Sequence, residues 1–239
     1  RPDGGSTKGY LATAGADRPS LIVIQEWWGL NDQICGVADR FARAGYNALA
    51  PDLYEGRVTQ EPDEANHLMS GLDFPGATHQ DLRGAALHLK GIGGDVAVMG
   101  FCMGGALTIA CASLSDRGAV MAPDVPWLSH FERSIDIAVG PYEEITDFMK
   151  AYPEHIDQAF DTLSYFDNMN MVTMTRVRKA YYSVGLWDDI CPPSTVYASY
   201  NHLPAAVDKS IEIYRYNGHE GGGALHEQRR LKWLRTAFD

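Results

Sequence analysis

One cysteine in this chain stands where a nucleophile would. Gly100-Phe101-Cys102-Met103-Gly104-Gly105 follows the apolar run 95–99 and leads into the small-residue stretch 104–113. Strand, G-x-nucleophile-x-G and helix in that order make a nucleophile elbow. A sharp turn presents the sulfur at the carboxyl end of a strand, and close backbone packing demands small flanking residues. The helix that follows aims N–H groups and the positive end of its dipole at the sulfur, favouring a thiolate and an oxyanion. The chemistry indicated is covalent acyl transfer. The glycine spacing is not the G-x-G-x-x-G of a dinucleotide site, and residues 21–25 lead into Glu26-Trp27-Trp28-Gly29 instead.

An elbow predicts its partners in order: nucleophile, acid, then histidine, each after a later strand. Residues 179–184 are followed by Asp188-Asp189, and 210–214 by Asn217-Gly218-His219. Either aspartate satisfies the order. Among the histidines beyond the acid, His202 falls near a helix end and His226 inside the last helix, leaving His219 as general base. The oxyanion donors expected are the amide of Met103 and that of Trp27, on the loop after the first core strand. Glu26 stands beside Trp27, where a carboxylate could bond Cys102 at rest and could equally be a surface group. Trp28, Trp127, Phe131 and Tyr165 are candidates for a substrate pocket, with core packing an equal explanation for the last three. His219 and His226 are seven apart with Gly221, Gly222 and Gly223 between them. That is not the i, i+4 pairing of a helical zinc site, so neither metal nor cofactor is expected. Cys35, Cys111 and Cys191 read as plain apolar residues. A redox role for Cys102 would need a resolving thiol, and Cys111, along the same helix, is out of reach.

The elements that must position these residues alternate in the manner of an α/β protein with a mostly parallel sheet. Strands are expected at 21–25, 47–50, 95–99, 118–121, 179–184 and 210–214. Helices are expected at 31–44 with Asn31 as N-cap, 63–72, 77–90, 104–113, 194–201 and 224–238. Residues 123–170 break the rhythm and read as a helical excursion. The expected residues 102, 188 and 219 draw on most of the length, so one domain over 1–239 is expected.

The chain has 239 residues, 45% hydrophobic and 21% charged, with net charge −11. This suits a globular protein, and the acidity makes nucleic acid a poor partner. Apolar runs fall far short of the ~20 residues that span a bilayer. Four cysteines without a CxxC pair suit a reducing compartment, so a cytoplasmic location is expected, with secretion left open.

Residues 10–112 resemble the dienelactone hydrolase family, through Gln25-Glu26-Trp27-Trp28-Gly29-Leu30-Asn31, Gly45-Tyr46, Pro51-Asp52-Leu53-Tyr54 and the elbow. From residue 114 onward the chain is similar to the acetyl xylan esterase/cephalosporin C deacetylase family. That likeness runs through Asp124-Val125-Pro126-Trp127, Ser183-Val184-Gly185-Leu186-Trp187-Asp188-Asp189-Ile190-Cys191-Pro192-Pro193 and Tyr216-Asn217-Gly218-His219-Glu220-Gly221-Gly222-Gly223. The resemblance implies an α/β-hydrolase fold and a Cys102–His219–Asp188 triad. It also implies Glu26 as the group holding the nucleophile at rest, and Trp27 and Met103 as oxyanion donors. The activity implied is hydrolysis of small esters or lactones, with an acetyl esterase acting on acetylated sugars as the alternative. The deacetylases carry Ser in the elbow and a longer N-terminal region that helps build a hexamer, so a monomer or homodimer is expected here. Dienelactone hydrolase places a substrate-binding arginine shortly after its histidine, where this chain has three glycines.

Overall fold

The computed structural model describes residues 1–115 and 118–238. Seven strands form one sheet in the order β1-β3-β2-β4-β5-β6-β7. They are β1 (Gly9–Ala12), β2 (Ser20–Ile24), β3 (Asn47–Pro51), β4 (Val96–Phe101), β5 (Gly118–Asp124), β6 (Lys179–Gly185) and β7 (Asp208–Tyr214). All neighbours run parallel except β1, which pairs antiparallel with β3. Strand β1 is absent from the sequence expectations. Three of its four residues are exposed and only Ala12 reaches the second core, so this short edge strand lacks the longer buried run that marks the central strands.

The central strands are buried on both faces, as parallel strands must be. The period-two alternation divides their side chains between two cores. Ile22, Ile24, Val96, Val98 and Met121 face one, and Leu21, Val23, Ala97, Met99 and Val120 face the other. Helix α1 (Asp32–Arg43) and the last helix (Gly223–Ala237) supply Ala38, Phe41, Leu234 and Ala237 to the second core. Asn31 caps α1, its side-chain oxygen accepting the Ile34 amide at 3.1 Å. The first core is closed by Arg83–Ile92, Met103–Leu114 and Pro193–Asn201. The expected single helix at 77–90 opens instead with the wide π turns of Ala77–Leu82. Among the described residues no helix is long and apolar enough to cross a membrane.

The excursion after β5 is helical, with Phe131–Ile137, Glu143–Ala151 and Ile156–Ser164 as its main elements. One buried carboxylate holds its two ends together. Asp167 accepts the amides of His130 (2.7 Å), Phe131 (2.8 Å) and Met169 (2.8 Å). The Asn168 amide side chain adds a bond to the Trp127 carbonyl at 2.8 Å. Val139 N–H, donating to the Asp189 carbonyl at 2.7 Å, ties the excursion to the loop after β6.

A second buried polar group locks the last helix to the sheet. Asp124, at the end of β5, pairs with Arg230 and accepts from His226 Nε2 at 2.6 Å. His226 Nδ1 in turn accepts the Tyr214 hydroxyl at 3.0 Å. Burial pulls the Arg230 guanidinium down to about 9 and His226 to about 4, so His226 is neutral at pH 7 and Arg230 is the cation that Asp124 balances. Removing one member of a buried pair strands the other charge. Arg230→Ala should therefore lower the unfolding free energy by about 3–5 kcal/mol in urea denaturation. Asn31→Ala, which removes only a cap, should cost about 1 kcal/mol.

Candidate active site

The carboxyl ends of β2, β4, β6 and β7 converge on one edge of the sheet, where open α/β folds place their ligands. Cys102 follows β4 with φ 54° and ψ −112°, a left-handed conformation in a non-glycine residue. The surrounding backbone holds it there. Its N–H donates to the Asp124 carbonyl (3.1 Å), and its carbonyl accepts from Trp127 (3.1 Å) and Ala106 (2.9 Å). The turn is tight enough that a Cβ at Gly100 would collide with the backbone of Gly104. Met103 opens the helix, so its N–H has no intrahelical acceptor and bonds the Cys102 sulfur.

His219 follows β7 on a loop. Its Nδ1 lies 3.0 Å from Asp188 Oδ2 and 3.1 Å from Oδ1, turning Nε2 toward Cys102. Phe101 packs edge-on against the imidazole, ring centres 5.3 Å apart. Asp188 is buried and Asp189 exposed, so the structure brings Asp188 to His219 and leaves the Asp189 side chain outside. Asp188 Oδ1 also accepts the amides of Ile190 (3.0 Å) and Cys191 (2.8 Å). Its orientation is thus fixed by its own loop. The glycines after His219 shape the return into the last helix. Gly222 has φ +92°, and a Cβ there would strike the Tyr214 ring.

Cys191, read from the sequence as a plain apolar residue, is part of this cluster. The ligating atoms of Cys102, Cys191 and His219 all lie within 4.8 Å of one another. A neighbour two prolines upstream of a helix carries no sequence signal for this. The contact exists only because the Asp188 loop folds back under the elbow. A hydrogen bond from Cys191, then those from His219 and the Met103 amide together with the imidazole charge, pull the Cys102 thiol down to about 6 against burial. Burial and the neighbouring sulfur hold the Cys191 thiol protonated. For His219, burial works downward but is outweighed by bonding to Asp188 and Cys102, lifting the imidazole to about 10. Both shifts run the same way, the thiol down and the imidazole up, and so favour thiolate and imidazolium over the neutral pair. Glu26 stands close by, and burial, then the Cys102 charge, raise its carboxyl to about 8, so it is mainly protonated at pH 7.

The other expected residues are placed as follows. Trp27 follows β2 on the same edge, and its N–H has no protein acceptor among the described residues. Its ring packs on Trp28 at 4.7 Å. Trp127 and Phe131 are buried against Tyr142, ring centres 5.8 and 6.1 Å away, and the buried Trp127 indole N–H has no hydrogen-bond partner among the described residues. Tyr165 is 81% exposed on the excursion and does not join the cluster. His202 caps a helix end in solvent, and His226 belongs to the Asp124 group. A separate open groove of about 600 Å³ runs between Glu143–Ala151 and Ile156–Ser164 and shares no residue with the site.

Comparison with known proteins places two families along the chain. The model of the acetyl xylan esterase (AXE1) family matches residues 93–237, and that of the dienelactone hydrolase family matches residues 7–127. The chain is similar to Protein usf of Aquifex pyrophilus, at 42% identity over 29% of this chain and 32% of that one. It is similar to carboxymethylenebutenolidase 1 of Cupriavidus pinatubonensis, at 30% identity over 47% and 54%. It therefore spans less than two thirds of the length of these relatives. Among solved structures, the acetyl xylan esterase from Paenibacillus sp. R4 is 28% identical, with a TM-score of 0.74 over 95% of this chain and 78% of that one.

Thiolate character decides which cysteine reacts. Iodoacetamide at pH 7 should label Cys102 first, read by peptide mass mapping. Cys111, raised by burial to about 12, should stay unmodified. Gly100→Ala, which displaces the turn, should slow Cys102 labelling by at least about tenfold.

Proposed function

The chain belongs to the acetyl xylan esterase and dienelactone hydrolase families, and from that membership and the site's geometry we propose that it is a carboxylic-ester hydrolase of small esters or lactones, working through an acyl-cysteine intermediate. The observation that carries the reading is the line Cys102–His219–Asp188, a sulfur on a strained elbow beside an imidazole whose other nitrogen is held by a buried carboxylate.

The Cys102 thiolate attacks the carbonyl carbon. The new oxyanion receives the amides of Met103 and Trp27, each such donor lowering the barrier by about 3–4 kcal/mol. Collapse breaks the C–O bond, and His219 gives its proton to the departing alkoxide. Neutral His219 then takes a proton from water, whose oxygen attacks the thioester. Expulsion of Cys102 restores thiolate and imidazolium. Asp188 keeps the Nδ1–H tautomer and stabilises the charged ring, as the third member of such a triad does. Glu26 is the proposed gate. Protonated, it adds no negative charge beside the oxyanion, whereas its ionised form would oppose both nucleophile and intermediate. The residues come from β4, β6 and β7 of one sheet, so the proposed working unit is one domain over the whole chain.

A second reading, acetyl ester hydrolysis on sugars, is favoured by the extent of the acetyl xylan esterase match, which takes in the acid and histidine loops. Side-by-side assays on dienelactone and on acetylated xylo-oligosaccharides separate the two.

With p-nitrophenyl acetate, Cys102→Ala and His219→Ala should fall to background. Asp188→Asn should lose about 10²–10⁴-fold in kcat, the usual scale of a misdirected general base. Equal rates in all four proteins would sink the assignment. The pH profile of kcat/KM should rise through about 6 as Cys102 ionises and fall above about 10 as His219 loses the leaving-group proton. Ionisation of Glu26 should add a downward inflection near 8, absent in Glu26→Gln.

A further inference from the structure

We propose that Cys102, Cys191 and His219 form a binding site for a thiophilic divalent cation, zinc first among them, whose occupancy blocks the nucleophile and base. The proposal rests on the same Cys102–His219 geometry as the hydrolytic reading and adds Cys191, which the hydrolytic steps do not need as a reactant.

The three ligand atoms lie within 4.8 Å of one another. Around a tetrahedral zinc with sulfur at about 2.3 Å and nitrogen at about 2.0–2.1 Å, ligand atoms stand roughly 3.5–3.8 Å apart, so no side of the triangle needs to close by more than about 1 Å. Two sulfurs and an imidazole are a donor set that selects zinc and its softer neighbours over magnesium or calcium. Asp188 orients two of the three ligands. It bonds His219 Nδ1 at 3.0 Å, leaving Nε2 to ligate, and takes the Cys191 amide at 2.8 Å. Carboxylates behind metal-bound histidines play this part in zinc sites generally. Cys102 and Cys191 are 8% and 2% exposed, and a dication that replaces two protons leaves the net charge of the buried group unchanged. On binding, the Cys191 S–H proton and the His219 Nε2 proton leave to solvent, three ligand bonds form, and the fourth position is left to water. Among the described residues this is the one His/Cys/Asp/Glu group with such spacing.

The test uses the reduced, chelator-stripped full chain titrated with Co²⁺. One equivalent should bind, with a thiolate-to-cobalt charge-transfer band in the near ultraviolet, and Zn²⁺ should abolish it by displacement. Cys191→Ala should lose more than the roughly 10–100-fold in affinity that removal of a ligand's hydrogen-bond partner costs. Cys191→Ser serves as a second variant, with circular dichroism reporting the fold, and Cys111→Ala should bind as the unaltered chain does. Zn²⁺ should inhibit ester hydrolysis at the concentration that displaces cobalt, and EDTA should restore it. No charge-transfer band, unchanged affinity in both folded Cys191 variants, or inhibition relieved by dithiothreitol but not EDTA would overturn the site. Cobalt binding is read without turnover, so a chain that binds metal yet hydrolyses nothing would refute the hydrolytic reading alone.

Discussion

The meeting of Cys102 with His219 in a largely buried site, with shifts that favour thiolate and imidazolium, is the interaction around which the rest is arranged. Two charges out of water survive only when attraction and hydrogen bonds replace hydration. Cys102 receives bonds from Cys191, His219 and the Met103 amide, and His219 is held by Asp188. Asp188 is held by two amides of its own loop. Each group that stabilises the pair is itself positioned by backbone, which makes the arrangement rigid before any substrate arrives. Glu26 at its side fits the same constraint, because burial and the Cys102 charge raise its carboxyl further than the opposing pull of His219 lowers it.

Holding that pair requires strands far apart in the chain to end level. Cys102, Asp188 and His219 come from β4, β6 and β7, and the interior packing that sets their heights is the two-sided core of the sheet. The Asp124 group acts between these strands, at the end of β5. Its backbone carbonyl fixes the Cys102 amide, while its carboxylate anchors Arg230 and His226 of the last helix. That helix begins directly after the glycine loop carrying His219. One residue at the end of β5 therefore links the elbow to the element that follows the base, a connection that packing alone would leave looser.

The excursion contributes by its attachment points. Asp167 closes it at the base, and the Val139–Asp189 bond joins it to the acid loop. Trp127 spans both roles, its amide on the Cys102 carbonyl and its ring in the core. A helical insertion stapled in this way restricts the turn beneath it, whatever its outer helices contact.

Short-range signals along the chain carry the local pieces. The six apolar runs that became β2 to β7 and the Asn31 cap were legible because strand burial and capping are short-range. So was the elbow, which is written in glycine spacing. Nucleophile, acid and histidine could be ordered because fold topology orders them. Which of Asp188 and Asp189 meets His219 is visible only in three dimensions, since adjacent residues differ just in which way one loop turns. Only the tertiary structure joined Cys191 to Cys102, and Asp124 to Arg230 and His226, pairs separated by roughly a hundred residues. It also buried Trp127 and Phe131, left Tyr165 in solvent and added β1 at an edge. Spacing along a chain specifies which face a side chain takes within one element. Which elements stand next to one another is settled by how the sheet and its two cores close, and the polar contacts at the site are a consequence of that closure.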